Sequence, residues 1–255
     1  MKIFITGSTG TIGSKFFGVN KLFFDLLDDR TFPTFSKREA ATIIHLAGVV
    51  GNSAVTKNLV KSRAINVDGT IKFAEHILNK SNFRFMFVSS SHVYRNSSDK
   101  HKEDEKLEPI NEYGEQKLIV EEALNQLYSE CKTRLAIARV FSILGSNMKP
   151  GTLGHAIENI APKNPLKCAD DIRDFLTPEQ TAHILYTLAT SNLNYNIYNV
   201  CSGVSQSVKF AAIRLLNSLK RPYDINLLQS GNSLIPVIQG DIGRLIEVIP
   251  KISSM

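Results

Sequence analysis

Two side chains four residues apart, Tyr113 and Lys117, could form a proton-transfer pair. Both fall at the start of an amphipathic segment, where a helical spacing of four places them on one face. A phenol with a pKa of about 10 is a poor acid or base at neutral pH, and a nearby ammonium lowers that pKa by favouring the phenolate. The spacing therefore indicates an acid–base pair.

Three consecutive serines precede this pair in the chain. Ser89, Ser90 and Ser91 directly follow the apolar run of residues 85–88. If that run is a parallel strand, the serines lie at the carboxyl edge of the sheet, where open α/β proteins bind their ligands. A serine hydroxyl there could bond to a substrate oxygen that becomes a carbonyl during hydride transfer.

A glycine-rich segment follows the first apolar run of the chain, residues 3–5. It reads Thr6-Gly7-Ser8-Thr9-Gly10-Thr11-Ile12-Gly13 and leads into a segment predicted to be helical. Glycines allow a tight turn and bring backbone N–H groups close to a pyrophosphate, and a helix N-terminus adds positive partial charge. We expect a loop that binds NAD or NADP, with a glycine turn that binds nothing as the alternative.

The acidic residue that usually bonds the ribose about 20 residues further on has no clear counterpart. Asp25, Asp28 and Asp29 follow the apolar run 22–24, in a region where a strand–helix unit is shortened or lost. We expect Asp25 to contact the cofactor, at the ribose or at the adenine edge. The choice between NAD and NADP stays open.

The apolar pattern predicts the elements that hold these residues in place. Unbroken apolar runs, typical of parallel strands covered on both faces, occur at residues 3–5, 22–24, 42–47, 85–88 and 135–140. Amphipathic segments at residues 60–78 and 112–128 predict helices between them. This alternation indicates an α/β fold with a doubly wound, parallel Rossmann-type sheet.

The sequence becomes richer in proline and glycine after Gly145. Prolines and glycines in residues 146–165 predict loops around one short helix, followed by helices near 179–189 and 207–219 and a strand at 197–200. We therefore expect a dinucleotide-binding domain over residues 1–145. Residues 146–255 would form a smaller substrate-binding lobe that partly returns to the sheet.

The amino-acid composition limits the classes of function that this protein could have. The 255 residues are 43% hydrophobic and 21% charged, as in an ordinary globular protein. The net charge of +6 is spread along the chain without a dense basic stretch, so an anionic small molecule is a better partner than nucleic acid. The three scattered cysteines and the short apolar start predict a cytoplasmic protein with no disulfide, no metal site and no membrane segment.

These motifs resemble those of extended short-chain dehydrogenase/reductases of the NAD-dependent epimerase/dehydratase kind. The resemblance runs along nearly the whole chain. Besides the glycine loop and the Tyr113–Lys117 pair, it rests on Ile44-His45-Leu46-Ala47-Gly48, Asn66-Val67-Asp68-Gly69-Thr70, Ser89–Tyr94, Arg139, Arg173-Asp174-Phe175 and Tyr198-Asn199-Val200-Cys201-Ser202-Gly203.

The resemblance implies a nucleotide-sugar substrate, a homodimer and specific roles for residues. Ser90, four residues before Tyr94, would be catalytic together with Tyr113 and Lys117. The cofactor would contact Gly7, Thr9, Gly10, Thr11, Ile12, Gly13, Asp25, Leu26, Leu46, Ala47, Gly48, Asn66, Ser89, Tyr113 and Lys117. The substrate would contact Ser91, His92, Arg139, Ser142, His155 and Arg173.

The resemblance also separates possible reactions. Sugar-nucleotide 4,6-dehydratases carry Thr-Asp-Glu where this chain has Ser90, Ser91 and His92, so dehydration is not expected. Reduction of a 4-keto group needs only the serine, tyrosine, lysine and nicotinamide, and so does 4-epimerisation. We expect a 4-keto reductase, with a 4-epimerase and an NADP-sensing regulatory protein on the same fold as alternatives.

Two histidines suggest a further activity. In the GDP-fucose synthase branch of this family, a cysteine at the position of His92 moves a proton beside a ketone, with a histidine partner about where His155 falls. Imidazole, with a pKa of about 6.5, suits such a transfer. His92 is thus a candidate for proton transfer or for binding a 4-keto sugar, with simple packing near the nicotinamide as the alternative.

Overall fold

The computed structural model describes residues 2–36, 39–231 and 236–250. Its strands are β1 (Lys2–Thr6), β2 (Asn20–Lys21), β3 (Ala41–His45), β4 (Arg84–Ser90), β5 (Leu135–Val140), β6 (Ser142–Ile143), β7 (Ile172–Leu176), β8 (Ile197–Val200), β9 (Ser205–Ser207) and β10 (Val237–Ile238). Six of them form a parallel sheet in the order β2-β1-β3-β4-β5-β8. The predicted Rossmann-type sheet is confirmed.

Helices cover both faces of this sheet. They are α1 (Asn52–Lys57), α2 (Leu59–Arg63), α3 (Thr70–Lys80), α4 (Glu112–Leu127), α5 (Leu153–Glu158), α6 (Pro178–Thr190), α7 (Val208–Ser218) and α8 (Gly243–Val248). Leu185 of α6 packs on one face with Ile5 and Ile44, whereas Phe73 of α3 and Val120 of α4 pack on the other. Apolar strands buried between two helical layers explain the unbroken runs in the sequence.

A π-helical segment, Ala64–Gly69, joins α2 to α3. The whole stretch is therefore one interrupted helix, close to the helix predicted over residues 60–78. Such π-helical insertions are frequent at functional sites. This one carries Asn66, which the sequence assigns to the cofactor.

The first strand–helix unit differs from the prediction. After the glycine loop there is only a single 3-10 turn, Gly13–Lys15, and the second strand is β2 at Asn20–Lys21 rather than residues 22–24. A helix that returns along the five residues of β1, about 17 Å, needs about eleven residues. The chain instead returns in extended form through Gly18, whose φ of +68° permits the turn.

The chain after Gly145 contributes to two layers. The strands β6, β7, β9 and β10 form a smaller sheet beside the first, with α5 and α7 sharing an apolar cluster around Ile157, Val208 and Ala212. However, α6 and β8 belong to the central sheet, because β8 pairs with β5 along four residues. The substrate-binding role of the smaller layer stays a prediction.

Candidate active site

The glycine loop is packed tightly between β1 and β3. Gly7 has a φ of +66°, and a Cβ on it would lie 2.7 Å from the backbone of Leu46 and Ala47. A Cβ on Gly13 would overlap the Gly7 carbonyl oxygen. Gly10 N donates to that same oxygen at 2.9 Å. The loop is therefore a backbone cradle that only glycine can form at positions 7 and 13.

A buried histidine anchors this cradle to the neighbouring loop. Thr6 Oγ1 accepts from the backbone N of Leu46 and of Ala47, both at 3.1 Å, and lies 3.0 Å from His45 Nδ1. The Thr6 hydroxyl hydrogen is then free to point at Nδ1, which leaves the Nε2 hydrogen for Thr70 Oγ1 at 3.2 Å. Burial lowers the pKa of His45 to about 3, with a smaller contribution from Lys117, so this link stays neutral.

A cavity of about 310 Å³ opens beside the cradle. It is lined by Thr6, Gly7, Ser8, Thr9, Leu22, Phe23, Phe24, Asp25, Leu26, Ala47 and Ile65. One carboxylate oxygen of Asp25 accepts from Leu27 N at 2.9 Å, and Phe23 is 75% exposed at the rim. The cradle and this cavity fit the adenosine and pyrophosphate half of a dinucleotide. Among the residues that the structure describes, the loop leads into one 3-10 turn and not into a longer helix.

The expected catalytic residues meet at the carboxyl end of β4. Tyr113 lies in the first turn of α4, and its hydroxyl is hydrogen-bonded to Ser90 at the end of the strand. Lys117, one turn along α4, donates from Nζ to the Val88 carbonyl at 2.8 Å. Its Nζ is 5.9 Å from the centroid of the Tyr113 ring. The strand end and the helix start therefore bring these three side chains together.

The protonation states differ from the sequence prediction. Burial raises the pKa of Tyr113 to about 12, although the Ser90 hydrogen bond opposes the shift. Burial also lowers the pKa of Lys117 to about 8, partly offset by Glu121. The predicted lowering of the Tyr113 pKa by the ammonium does not appear, because burial of the phenol dominates its pKa and Lys117 Nζ donates to the Val88 carbonyl. Tyr113 carries its proton at neutral pH.

His92 lies against Tyr113, within reach of the charge of Arg173. The His92 ring meets the Tyr113 ring edge-on, with centroids 5.5 Å apart. Burial lowers the pKa of His92, and the charge of Arg173 adds to this, while the Asn111 contact opposes it. Arg173 Nη2 donates to Asp171 at 2.8 Å. The imidazole beside Tyr113 is therefore neutral, and the guanidinium whose charge acts on it is paired with Asp171.

The size of the residue after Tyr113 is limited by the main chain of His92. A Cβ on Gly114 would overlap the His92 carbonyl oxygen. The first turn of α4 and the chain after β4 are thus in direct backbone contact.

Arg139 is not available to a substrate, which corrects the sequence prediction. It is 2% exposed, and its guanidinium donates to Glu121 Oε2 at 2.7 Å, to Tyr94 Oη at 2.8 Å and to the Glu103 carbonyl at 2.9 Å. The guanidinium thus uses its N–H donors on partners inside the protein and not on a ligand. Arg139 belongs to the interior of the protein.

Ser89 also turns inward. Its Oγ donates to Glu121 Oε1 at 2.5 Å, so its side chain joins the Glu121–Arg139 pair rather than facing a ligand. The hydroxyl of Tyr94 extends this polar group to Asn199 Oδ1 at 2.8 Å. We call Ser89, Glu121, Arg139, Tyr94 and Asn199 the buried polar network.

Other residues that were predicted to contact the cofactor mainly contact the protein itself. Asn66 binds the backbone of Val49 through its amide, at 2.7 and 2.9 Å, and donates to Gln116 Oε1 at 2.9 Å. It holds the loop that carries Gly48 against α4. Leu26 lines the cavity but is nearly buried in the core beside Phe32.

The other residues predicted to contact the substrate lie on three different elements. Ser91 is buried in the turn after β4, and Ser142 lies in β6, paired with Phe175 of β7. His155 lies in α5, where its Nδ1 is 3.3 Å from Asn159 Nδ2 one turn on. Thr9, Thr11 and Ile12 remain with Gly10 in the cradle.

Two residues that lie beside Tyr113 and Lys117 were not identified from the sequence. Glu121 is four residues after Lys117 on α4, so its helical spacing could have revealed it. Asn111 is the N-cap of α4 and accepts from Gly114 N at 2.9 Å. An asparagine just before a predicted helix signals a cap, but no sequence pattern reveals its contact with His92.

Two searches of the described residues complete the picture of the site. No helix among them is long and apolar enough to cross a membrane. Within residues 2–36, 39–231 and 236–250, no three His, Cys, Asp or Glu side chains gather as a metal site would require. All three cysteines are free.

Comparisons with known proteins agree with this geometry. The model of the NAD dependent epimerase/dehydratase family matches residues 17–201. A GDP-6-deoxy-D-talose 4-dehydrogenase from Aggregatibacter actinomycetemcomitans is 25% identical over 288 residues, covering 98% of this chain and 91% of the relative. A UDP-glucose 4-epimerase from Cyamopsis tetragonoloba is 26% identical over 68% of this chain and 57% of its own length.

A solved structure shares the fold. RMD from Pseudomonas aeruginosa, complexed with NADPH, superposes with a TM-score of 0.79 at 22% identity, over 97% of this chain and 91% of that one. Because the family model spans well over half of the chain, and the relatives are enzymes, a purely regulatory protein is set aside. The chain belongs to the NAD dependent epimerase/dehydratase family and is an enzyme whose cofactor is NAD or NADP.

Proposed function

We propose that this enzyme reduces the 4-keto group of a nucleotide-activated deoxysugar with NADH or NADPH. The observation that carries the proposal is the hydrogen-bonded pair of Ser90 and protonated Tyr113 at the carboxyl end of β4. A phenol that holds its proton at neutral pH is ready to give it to a carbonyl oxygen, which is the direction of reduction.

The relatives support this substrate class. The relative that aligns with almost the whole chain is named for oxidation at carbon 4 of a GDP-linked 6-deoxysugar. Reduction of a 4-keto sugar is the reverse of that reaction and needs the same groups. The positive net charge of +6 also favours a substrate that carries a diphosphate.

The chemistry divides between the cofactor and three side chains. When bound against the cradle of Gly7, Gly10 and Gly13, the reduced nicotinamide cofactor supplies a hydride for carbon 4. Ser90 donates a hydrogen bond that orients the carbonyl oxygen, and Tyr113 gives that oxygen its proton. The ammonium of Lys117 then offsets the negative charge left on the phenolate, which water reprotonates.

The sugar would lie between β4, α4 and β7. We propose that Ser91, His92 and Arg173 contact it, because His92 lies against the Tyr113 ring, Ser91 precedes His92 in the turn after β4, and the charge of Arg173 reaches His92. Arg173 is half-buried beside Asp171, and a guanidinium in that setting suits an anionic or hydroxyl-rich ligand. Contacts of Ser142 and His155 with the substrate also remain predictions.

A 4-epimerase is the second candidate, since a UDP-glucose 4-epimerase matches two thirds of the chain. An epimerase oxidises and then reduces the same carbon, so the bound cofactor is regenerated in each turnover. A reductase consumes one reduced cofactor for each product. Cofactor stoichiometry therefore separates the two reactions.

The test uses the purified enzyme, a GDP-linked 4-keto-6-deoxysugar, and NADH or NADPH. We expect loss of the reduced nicotinamide signal in proportion to alcohol formed. Tyr113→Phe should lower kcat by about 10³-fold, because general acid catalysis contributes 10²- to 10⁴-fold, while cofactor affinity is retained. Conversion of a UDP-hexose to its 4-epimer without net cofactor consumption would overturn the reductase.

We also propose a homodimer formed by α4 and the helix before it. Leu59 and Val60 of α2 are 44% and 84% exposed, and an apolar pair on a helix next to α4 suits burial against a second copy. Light scattering of the purified protein tests this. A cytoplasmic location remains the expectation, and three free cysteines fit a reducing compartment.

A further inference from the structure

Asn111 makes a second contact that the proposed reaction does not use. Its side-chain oxygen accepts from Gly114 N at 2.9 Å, which caps α4. That bond fixes the orientation of the amide. The amide nitrogen is therefore the atom nearer to His92, with Asn111 Nδ2 3.0 Å and Oδ1 3.4 Å from His92 Nδ1.

This orientation determines where the imidazole carries its hydrogen. An amide nitrogen only donates hydrogen bonds, so His92 Nδ1 must accept with its lone pair. The ring hydrogen is then on Nε2. The tautomer is assigned from the hydrogen-bond network, and it depends on the helix cap rather than on any ligand.

The surroundings of His92 keep the ring neutral. The titratable groups that face it are Tyr113 from α4 and Arg173 from β7, the latter paired with Asp171. Tyr113 is neutral and Arg173 is positive, so neither favours a second proton on the ring. Burial is the main cause that lowers the pKa of His92, and it outweighs the opposing contact with Asn111, whose Oδ1 is 3.4 Å from His92 Nδ1. A neutral ring whose Nδ1 is occupied offers only an N–H group.

We propose that Asn111 is a positioning residue that holds His92 as a neutral Nε2–H donor, which binds an oxygen of the sugar. This inference rests on the proposed function, and it makes the reaction more specific. A ring held in this way has no free lone pair to remove a proton from carbon. The enzyme would then reduce carbon 4 without exchanging the hydrogens at carbons 3 and 5.

The first experiment measures the tautomer directly. Nitrogen NMR of the imidazole, recorded on the holoenzyme and assigned by loss of the signal in His92→Gln, should show a protonated Nε2 and a bare Nδ1 at pH 7. Asn111→Asp keeps the helix cap, because aspartate caps as well as asparagine. Its carboxylate accepts instead of donating, so it should put a hydrogen on Nδ1.

A matched control separates this effect from a general change in charge. Asn125→Asp makes the same substitution at an exposed position of α4. We expect it to leave the His92 nitrogen signals unchanged. Asn111→Ser also keeps a cap but is too short to reach the ring, so it should release the tautomer without adding charge.

The second experiment measures the sugar contact. His92→Leu should raise KM for the 4-keto sugar about tenfold, the usual loss of one hydrogen bond, with a smaller change in kcat. His92→Gln, which can still donate, should recover part of that loss. In Asn111→Asp, KM should become dependent on pH between 6 and 8, since the carboxylate raises the pKa of His92.

Two results would overturn the inference. One is a wild-type spectrum with hydrogen on Nδ1, and the other is solvent deuterium at carbon 3 or 5 of the product. The NMR measurement needs no sugar, so a wrong tautomer refutes this inference and leaves the proposed reaction standing. The expected tautomer without any reduction of 4-keto sugars would refute the proposed reaction instead.

Discussion

The two halves of the central sheet, which we call the β1–β2 end and, on the side of β8, the β4–β5 end, are built in different ways. At the β1–β2 end, the helix after the glycine loop is reduced to one 3-10 turn, β2 has two residues, and Phe17 is 85% exposed. At the β4–β5 end, the buried polar network connects both strands with α4. We call the β1–β2 end the pared-down end, because its elements are short, and the β4–β5 end the reinforced end, because buried polar side chains connect its elements.

The difference fits the chemistry that we propose for each end. The cradle works through backbone N–H groups, which a tight turn can present without a long helix behind it. Proton transfer depends on side chains that must be held within a fraction of an ångström, and held side chains need partners of their own. The chain therefore tolerates loss of structure behind the cradle more readily than behind Tyr113.

The largest expected effect comes from breaking the ion pair at the reinforced end. Arg139→Met leaves the Glu121 carboxylate buried without its cation, and we expect the free energy of unfolding to fall by about 3–5 kcal/mol. Urea unfolding followed by circular dichroism measures the change.

A double variant tests whether charge is the cause. Arg139→Met with Glu121→Leu removes both charges, and replacing a buried pair by apolar residues is often neutral. We expect at least half of the lost stability to return. Equal instability of the single and double variants would mean that packing around Arg139, and not the pairing of charges, reinforces this end.

A smaller effect is expected inside the cradle itself. Gly13→Ala should lower the free energy of unfolding by about 1–3 kcal/mol, because its Cβ overlaps the Gly7 carbonyl oxygen. Gly10→Ala, whose Cβ would be 3.1 Å from that oxygen, should fold normally and mainly weaken cofactor binding. Thermal unfolding and cofactor titration distinguish them, and identical losses in both variants would contradict this division.

The pH dependence of the reductive rate probes the reinforced end. Lys117 is charged below a pKa of about 8 and neutral above it, whereas Tyr113 keeps its proton to about pH 12. We therefore expect kcat to be flat from pH 6 to 7.5 and to fall up to tenfold per pH unit above about 8. Lys117→Arg, which cannot lose its charge, should abolish the fall even if its rate is lower. A flat wild-type profile to pH 9.5 would contradict this role.

The smallest effect is expected at the pared-down end. Phe17→Ser removes a ring that is 85% exposed, so the free energy of unfolding should change by no more than about 0.5 kcal/mol. Parallel thermal scans of both proteins measure it. A loss comparable to that of Gly13→Ala would show that this exposed ring is covered in solution, and the contrast between the two ends would weaken.

The sequence predicts the central fold because its signals are local. The apolar runs that became β3, β4 and β5, and the spacing that made α4, depend only on neighbouring residues. The strand after the glycine loop was misplaced, because the run 22–24 is apolar for a different reason. Leu22 and Phe24 pack against the α3 side of the core from a loop.

The sequence predicts which residues form the candidate site better than it predicts their protonation states. Tyr113, Lys117 and Ser90 follow from spacing and resemblance, yet the direction of the Tyr113 pKa depends on burial and on where Lys117 points. Arg139 was assigned to the substrate by the resemblance, but one residue of register sets which way a strand side chain faces. Its partner Glu121 lies 18 positions away in sequence.

The contact between Gly114 and the His92 carbonyl has a practical consequence for engineering. Any substitution at 114 pushes two chain segments apart and moves the phenol of Tyr113 with them. The side chain of His92 beyond Cβ can be exchanged without altering that contact, because the overlap is with the main chain of residue 92. A library aimed at new sugars should randomise position 92 and leave 114 untouched.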